Sequence, residues 1–271
     1  MNTSQPLRIA VLLSGGGTNL QALIDRMNDG SLKARIVCVG SDRADAYGLE
    51  RARMAGIPTF VVDYARHMTS EPTPALDEAL VGQVLGRQRI LSPGVSPEEA
   101  RARIQRLIGA ERELMAQLDA HQPDIICLAG FMRLLTPHFL DHYNTSGAFR
   151  VVNIHPALLP AFPGRHGYRD TFRYGCKWGG VTVHFVDEGE DSGPVIAQGV
   201  YPIFDEDDER TVQNRGLHLE YKIYAQVINW IADGRVRVEP GPGSRPRVRI
   251  TDPNYREIIG SWVESAFRFR G

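Results

Sequence analysis

The sequence predicts an α/β protein: a mostly parallel, twisted open sheet of the Rossmann type, flanked by helices, with a helical insertion and a C-terminal extension. Three observations support this. Short apolar runs alternate with longer segments of helical periodicity over the first 63 residues, which is typical of parallel sheets with right-handed crossovers. A long, charged amphipathic stretch interrupts the alternation. A run of Pro and Gly near residue 240 is followed by many arginines.

Periodicity and turn residues place the elements in chain order. Residues 8–13 form an apolar run that predicts a buried strand, and the apolar residues of 19–28 recur at helical spacing. Gly234 follows the last long periodic segment, as a glycine after a helix C-terminus should. Further strands are predicted at 34–39, 57–62, 124–129, 150–154, 180–186 and 195–203, and further helices at 44–55, 134–143 and 206–232.

A different pattern covers residues 67–121. Two amphipathic helical stretches, 75–89 and 97–120, lie here, and in the second one Arg and Glu fill the face opposite the apolar residues. We interpret residues 67–121 as a helical insertion or crossover that serves as scaffold rather than as active site.

The Pro and Gly run at 240–244 predicts a domain end. The expected organisation is one large domain over residues 1–239, followed by a basic C-terminal extension over residues 240–271 with a short helix from Pro253 onwards. We expect the extension to be dispensable for chemistry and to pack on the domain or on a partner subunit.

Composition and charge exclude several classes of protein. The 271 residues are 42% hydrophobic and 23% charged, the ordinary mixture of a folded globular protein. Because 31 Lys+Arg balance 32 Asp+Glu, the net charge of -1 gives no global field for nucleic acid or an acidic membrane. No apolar run reaches the ~20 residues of a membrane helix, and the first six residues lack the layout of a signal peptide. Three widely spaced cysteines fit a reducing compartment, so a cytoplasmic location is expected.

A glycine-rich segment, Ser14-Gly15-Gly16-Gly17-Thr18-Asn19, lies between the first strand and the first helix. Glycines let backbone N–H groups approach an anion, and the helix N-terminus adds a favourable dipole, so the segment suits a phosphate. The alternative is a tight turn capped by Thr18 or Asn19. Leu20 replaces the third glycine of a dinucleotide fingerprint, which favours a mononucleotide or sugar phosphate instead.

Two further segments carry polar groups near strand ends. Asn153 and His155 alternate where a strand ends, so both can project into a crevice at the carboxyl edge of the sheet. By itself this pair favours a satisfied structural histidine over a catalytic one. Residues 187–191 hold four carboxylates but lack the spacing of a calcium loop, so no metal site is expected. A carboxylate close to an imidazole would raise the pKa of that imidazole.

Taken together, these segments resemble the folate-dependent phosphoribosylglycinamide formyltransferases of purine synthesis. The resemblance runs from Ile9 to about Gly234, apart from residues 67–115, which are longer than the family's usual connection. It implies a formyltransferase-like α/β fold, with residues 1–239 as the catalytic domain. The matching blocks, in the family's order, are residues 9–22, residues 44–52, Leu128-Ala129-Gly130-Phe131-Met132-Arg133-Leu134-Leu135, Asn153-Ile154-His155-Pro156, residues 183–196 and residues 230–234.

The resemblance also implies which residues form the site. The family's catalytic asparagine and histidine belong to its Asn-x-His-Pro motif, and its catalytic aspartate precedes Ser/Gly-Gly-Pro-Val-Ile. These positions correspond here to Asn153, His155 and Asp191, so the resemblance favours a catalytic His155. The other implied roles are phosphate binding for Gly17, Thr18 and Asn19, ribose binding for Glu220, and folate binding for Met132, Arg133, Leu134, Leu135 and the loop 187–191 that begins at Asp187.

The reaction that the resemblance implies is transfer of the formyl group of 10-formyltetrahydrofolate, the cosubstrate, to the amine of phosphoribosylglycinamide in de novo purine biosynthesis. Asn153 and a protonated His155 would stabilise the developing oxyanion, and Asp191 would keep His155 cationic. No metal is required. The expected partners are small-molecule substrates, with neither nucleic acid nor a membrane, and a homodimer is left open.

Departures from the family pattern concern the acceptor. Glu220-Tyr221 stands where the family commonly has Glu-His, and Gly167-Tyr168 also differs from the usual residues. The alternatives are therefore formyl transfer to another phosphorylated amine and hydrolysis of 10-formyltetrahydrofolate. A non-catalytic phosphate- or folate-binding module is a further alternative, against which the intact catalytic set argues. For Glu220, the alternative is a solvated position on a helix.

Overall fold

The computed structural model describes residues 5–70, 76–91, 94–145, 147–241, 243 and 245–269. Strands within these residues form one seven-stranded sheet and a separate two-stranded hairpin. The sheet contains β1 (Leu7–Leu13), β2 (Ala34–Ser41), β3 (Thr59–Val61), β4 (Ile125–Leu128), β5 (Val151–His155), β6 (Trp178–Phe185) and β7 (Val195–Pro202), and the hairpin contains β8 (Val236–Glu239) and β9 (Arg247–Ile250).

Helices cover both faces of the sheet. The longest is α5, and α8 is one residue shorter. In chain order the helices are α1 (Thr18–Asn28), α2 (Tyr47–Met54), α3 (Tyr64–Thr69), α4 (Glu78–Arg87), α5 (Pro97–His121), α6 (Pro137–Tyr143), α7 (Gly167–Arg173), α8 (Glu209–Ala232) and α9 (Tyr255–Arg268).

The strand order of the sheet is β3-β2-β1-β4-β5-β6-β7. The pairs from β3 to β5 are parallel, whereas β5–β6 and β6–β7 are antiparallel. The predicted α/β class with a mostly parallel sheet is therefore confirmed. The chain moves outward from β1 to β3 and then returns to the other side of β1 with β4. A crevice is expected at the carboxyl ends of the strands near such a reversal.

Two apolar layers sandwich the sheet. One cluster joins the sheet to α1, α2 and α8, and the other joins it to α5 and α6. The extension contributes Trp262 and Ala266 to the first cluster, and Trp230 of α8 donates from Nε1 to Oδ2 of Asp252 at 2.7 Å. Helix α9 also packs against β7, the edge strand, which shields its unpaired backbone groups.

The structure differs from the sequence prediction at several elements. The helix predicted at 134–143 begins only at Pro137, because Thr136 accepts a hydrogen bond from the His138 N–H as the N-cap and proline suits the first helical position. The short helices α3 and α7 were not predicted, since six or seven residues show little periodicity. The run 240–244 connects β8 to β9, although Pro242 and Ser244 lie outside the described residues.

The two predicted helical stretches of the insertion are present as α4 and α5. The first begins at Glu78, after an N-cap at Asp77 that accepts from the Ala79 N–H, and Ala75 of the prediction lies outside the described residues. The second begins after Ser96, whose hydroxyl accepts from the Glu99 N–H. Both starts therefore follow from capping side chains.

Candidate active site

A cavity of about 380 Å³ opens where β4 and β5 end, at the crevice that the strand order creates. Asn153 and His155 of β5 line its middle. Asn19, Tyr168 and Glu220 line one side, which we call the helix end because these residues lie on α1, α7 and α8. Residues 131–135 and 187–191 line the other side, which we call the loop end.

Asn153, His155 and Asp191 meet in the middle of the cavity. The amide Nδ2 of Asn153 lies 3.4 Å from Oδ1 of Asp191, and Nδ1 of His155 lies 3.2 Å from Oδ2. The Gly164 N–H donates to the same Oδ2 at 2.8 Å. Asp191 has a φ of 49°, a left-handed conformation that costs energy for a residue other than glycine. The fold therefore fixes the position of this carboxylate at the expense of local strain.

The two nitrogens of the His155 imidazole face Asp191 and Phe162. His155 is only 3% exposed, and its Nε2–H donates to the carbonyl oxygen of Phe162 at 2.8 Å. Burial lowers the pKa of His155 and outweighs the opposing effects of the Asp191 carboxylate and the Phe162 carbonyl. The Asp191 carboxylate acts to raise this pKa, as expected, but burial makes the net shift downward, which opposes the expectation of a cationic ring. A lowered pKa favours the neutral form of the imidazole.

His184 lies against the same carboxylate but was not predicted as a site residue. It faces Asn153 across the β5–β6 ladder, with Nε2 at 3.2 Å from the Asn153 amide and 3.6 Å from Oδ1 of Asp191. Burial acts to raise the pKa of Asp191, but the contact with His184, the charge of His155 and the Gly164 N–H hold it below its ordinary value. Alternation along the strand that contains His184 was the available signal for this residue.

The helix end is a buried polar cluster around Glu220. The Asn19 amide donates to Oε2 of Glu220 at 2.5 Å, and the Tyr168 hydroxyl donates to Oε1. Glu220 is only 4% exposed, which excludes a solvated helix position. Burial raises the pKa of Glu220, while these two hydrogen bonds act to lower it. Tyr168 was not predicted as a site residue, and its ring fits because Gly216 has no side chain.

The glycine segment adjoins this cluster. Gly17 has a φ of 69°, and a Cβ there would lie 2.7 Å from the Cα of Gly48, so glycine is required. Within the described residues no side chain caps the first turn of α1, so the alternative of a turn capped by Thr18 or Asn19 is wrong. The first-turn amides are therefore open to an anion. Of the three predicted phosphate-binding residues, Asn19 lines the cavity, whereas Gly17 and Thr18 are not among its lining residues.

The loop end presents apolar side chains to the cavity. Met132 and Leu134 are 43% and 39% exposed, whereas Leu135 is buried. The Ser14 hydroxyl accepts from the Met132 N–H at 2.8 Å, which fixes the chain after β4. Two half-exposed apolar side chains at a cavity wall suit a flat aromatic ligand better than a strongly hydrated one.

An ion pair and a buried carboxylate fix the backbone of the loop end. Arg133 donates from Nε to Asp42 at 2.6 Å and stacks over the ring of Tyr64 at 5.3 Å. The fully buried Glu111 of α5 accepts from the Thr136 N–H at 2.6 Å and also from its hydroxyl. Burial raises the pKa of Glu111 to about 7. Sequence reasoning placed Glu111 on a solvated helix face, so this support was missed.

Hydrogen bonds to the Asp187 carboxylate hold the acidic loop. Oδ1 of Asp187 accepts from the Ser192 hydroxyl at 2.6 Å and from the Gly189 N–H at 3.1 Å. Across the residues that the structure describes, no group of three or more His, Cys, Asp or Glu side chains is placed to hold a metal ion. In the same part of the chain, no helix combines the length and apolar character needed to cross a membrane.

Comparison with known proteins identifies the family. The family model described as formyl transferase matches residues 7–228. The chain is 38% identical over 232 residues to the phosphoribosylglycinamide formyltransferase of Escherichia coli (strain K12), covering 86% of this chain and 90% of that protein. A similar match, 36% identical over 235 residues, is found with the corresponding enzyme of Mycobacterium tuberculosis (strain H37Rv), covering 87% of this chain and 89% of that one.

Solved structures agree with these matches. Glycinamide ribonucleotide transformylase 1 from Symbiobacterium toebii aligns with a TM-score of 0.67 at 36% identity, over 93% of this chain and 96% of that chain. The family resemblance inferred from the motifs is thus confirmed by the sequence identity, by the structural similarity and by the shares of the chains that align. A seven-stranded sheet with a cavity at its carboxyl edge and a family match over residues 7–228 show that this chain is an enzyme of the formyl transferase family.

Proposed function

We propose that the enzyme transfers the formyl group of 10-formyltetrahydrofolate to the amine of phosphoribosylglycinamide, a step of de novo purine biosynthesis. One observation carries the proposal: Asn153, His155 and Asp191 meet in the middle of a cavity whose two ends differ in chemistry. The helix end is polar and adjoins an uncapped helix N-terminus, whereas the loop end is partly apolar. Such a cavity suits two substrates bound side by side, and proximity alone accelerates a two-substrate reaction strongly.

The helix end suits the acceptor. Its phosphate would bind the first-turn amides of α1 at Gly17, Thr18 and Asn19, where the helix dipole favours negative charge. Glu220 would accept hydrogen bonds from the ribose hydroxyls. Oδ1 of Asn19 is buried and has no hydrogen-bond partner among the described residues, so an N–H or O–H of the acceptor would satisfy it.

The loop end suits the formyl donor. Met132, Leu134 and Leu135 would pack against the aromatic part of the folate, and the backbone that Ser14 and Arg133 fix would hydrogen-bond its polar edge. The acidic loop from Asp187 to Asp191 would cover the pterin. This arrangement would bring the formyl carbon to the middle of the cavity, next to Asn153.

The chemistry then proceeds by direct transfer. The acceptor amine attacks the formyl carbon, a C–N bond forms, and the carbonyl oxygen becomes an oxyanion. Asn153 stabilises this oxyanion by exchanging its weak 3.4 Å contact with Asp191 for a hydrogen bond to the substrate oxygen.

Proton movement in this scheme uses the lowered pKa of His155. The neutral imidazole takes the proton that the attacking amine releases, and the imidazolium so formed is stabilised by both the oxyanion and Asp191. The carbonyl then re-forms, the bond to the folate nitrogen breaks, and the proton passes to that nitrogen. Protons balance, and the enzyme ends in its initial state.

A coupled assay tests the proposal. Consumption of 10-formyltetrahydrofolate is measured with and without phosphoribosylglycinamide, and the formylated product is identified by mass spectrometry. Turnover that requires the amine and yields its formyl derivative supports the proposal. Equal turnover without the amine would indicate a hydrolase, and turnover only with another phosphorylated amine would indicate a different acceptor.

A further inference from the structure

The helical insertion forms a rigid body beside the loop end. Helices α4 and α5 pack through a separate apolar cluster, in which Val81, Val84 and Ile104 are at most 1% exposed. Helix α4 also contacts α6, which follows the loop-end residues in the chain. The C-terminus of α4 is therefore held in place by packing on two sides.

Arg87, the last residue of α4, connects three elements. Its guanidinium binds Asp141 of α6 through two nitrogens, with Nη1 at 2.6 Å and Nη2 at 3.0 Å from the two carboxylate oxygens. Nε also donates to Oε1 of Glu188 in the acidic loop at 2.9 Å. Arg87 and Glu188 are 101 positions apart in the chain. One side chain thus ties the acidic loop to two packed helices.

The residues after Arg87 reach the cavity itself. The side-chain oxygen of Gln88 accepts from the N–H groups of Ile90 and Leu91, both at 2.9 Å, and this turn ends α4. Leu91 packs against the apolar cluster of the insertion, whereas Ile90 lines the cavity together with the loop-end residues. The insertion therefore contributes one apolar side chain to the lining of the cavity, contrary to the expectation that residues 67–121 are scaffold rather than active site.

We propose that Arg87 is a positioning residue that holds the acidic loop over the formyl donor, and that Ile90 contacts the aromatic part of that donor. This inference rests on the proposed function for the identity of the donor. The pair is partly exposed, with side-chain exposures of 39% and 30% for Arg87 and Glu188, so it contributes little to global stability. The pair instead keeps the acidic loop ordered before the donor binds. Without it, ordering the loop on binding costs free energy, and the affinity for the donor falls.

Two measurements on the full-length enzyme test the role of Arg87. Hydrogen exchange reports the order of the loop 187–191, and steady-state kinetics report KM for each substrate. For Arg87→Ala we expect about tenfold faster exchange in the loop and about a tenfold higher KM for the donor. KM for the acceptor and the melting temperature should stay unchanged. Asp141→Asn removes the negative charge that Arg87 binds on α6 and leaves Arg87 and Glu188 in place. It should give a smaller change in the same direction.

Arg101→Ala is the matched control, because Arg101 forms an ion pair with Glu78 inside the insertion and contacts neither the loop nor the cavity. It should change neither measurement. Unchanged loop exchange in Arg87→Ala, or an equal rise in both KM values, would overturn the inference. If the wild type transfers no formyl group, the proposed function fails separately, and calorimetric titration with tetrahydrofolate still decides whether Arg87→Ala weakens binding.

Ile90 is tested by Ile90→Ala with Leu85→Ala as control, since Leu85 packs on the insertion cluster and does not line the cavity. Loss of the apolar contact should raise KM for the donor by about fivefold, with KM for the acceptor unchanged. The same rise in Leu85→Ala would show that the effect comes from the stability of the insertion, and the contact role of Ile90 would be rejected.

Discussion

The two ends of the cavity are held by different kinds of interaction. At the helix end, Glu220 and Tyr168 lie on helices of the main core, and their hydrogen bond involves the buried carboxylate of Glu220. At the loop end, Glu188 lies in a loop and is held by a partly exposed ion pair with Arg87. Removing one partner of a buried hydrogen bond leaves the other partner unsatisfied and lowers stability, whereas removing one partner of an exposed ion pair changes stability little. The helix end is therefore rigid before any substrate binds, and the loop end is easier to adjust.

This difference predicts which property each substitution should change. Changes at the helix end should alter the binding of one substrate together with stability, because the same residues do both. Changes at the exposed ion pair of the acidic loop should alter binding of the other substrate with little change in stability. The residues between the two ends, which both substrates would share, should control turnover itself.

The largest effect is expected where the two ends meet. His155→Ala removes the group that takes the amine proton, and kcat of the folded variant should fall about 10³-fold or more. Steady-state kinetics measure this, with His142→Ala as control, because His142 is a surface residue paired with Asp119. Turnover in His155→Ala equal to that of the wild type would refute the mechanism.

The second effect concerns the support of the helix end by the C-terminal extension. Trp262 is only 4% exposed and packs against Trp230 of α8, with tilted rings whose centroids are 5.8 Å apart. Trp262→Ala should lower the free energy of unfolding by about 3–5 kcal/mol, measured by chemical denaturation. Phe267→Ala on the same helix is the control, because Phe267 is 49% exposed. The expectation that the extension is dispensable for chemistry remains a prediction, to be checked as kcat of a variant that lacks the residues after Pro240.

The third effect separates the ends by substrate. Glu220→Gln keeps the shape of the side chain but replaces an acceptor oxygen with a donor, facing the Asn19 and Tyr168 donors. KM for the acceptor should rise about 10- to 100-fold while KM for the donor changes less than twofold. Glu209→Gln, on an exposed turn of the same helix, should change neither value. A rise in both KM values would show that the two ends are not independent.

The smallest effect is a pH dependence of stability at the loop end. Because the pKa of Glu111 is raised to about 7, the folded protein keeps a proton that the unfolded chain loses above its ordinary value of 4.5. The contribution of Glu111 is fully present below pH 4.5 and is lost as pH rises through 7. The wild type should therefore lose about 2 kcal/mol between pH 5 and 8, and Glu111→Gln should not show this loss. Glu113→Gln, at a more exposed position of α5, should behave like the wild type.

Much of the site could be predicted from the sequence because its chemistry lies in short motifs at strand ends. The glycine segment follows β1, and Asn153 and His155 lie on one face of β5, so local spacing places them at the same edge of the sheet. The family resemblance then added Asp191, 38 positions from Asn153. His184, Tyr168 and Ile90 were missed, because each reaches the cavity through a contact between elements distant in the chain.

The sequence by itself determined the α/β class, the family and the order of the motifs, since these depend on local periodicity and on residue identity. Only the tertiary structure decided the balance of burial and charge at the site and the contacts of the added regions. The pKa of His155 follows the balance of burial against the charge of Asp191, and burial exists only after the sheet and helices have packed. In the same way, Arg87 acts on the acidic loop only because packing of α4 against α5 and α6 brings it to Glu188.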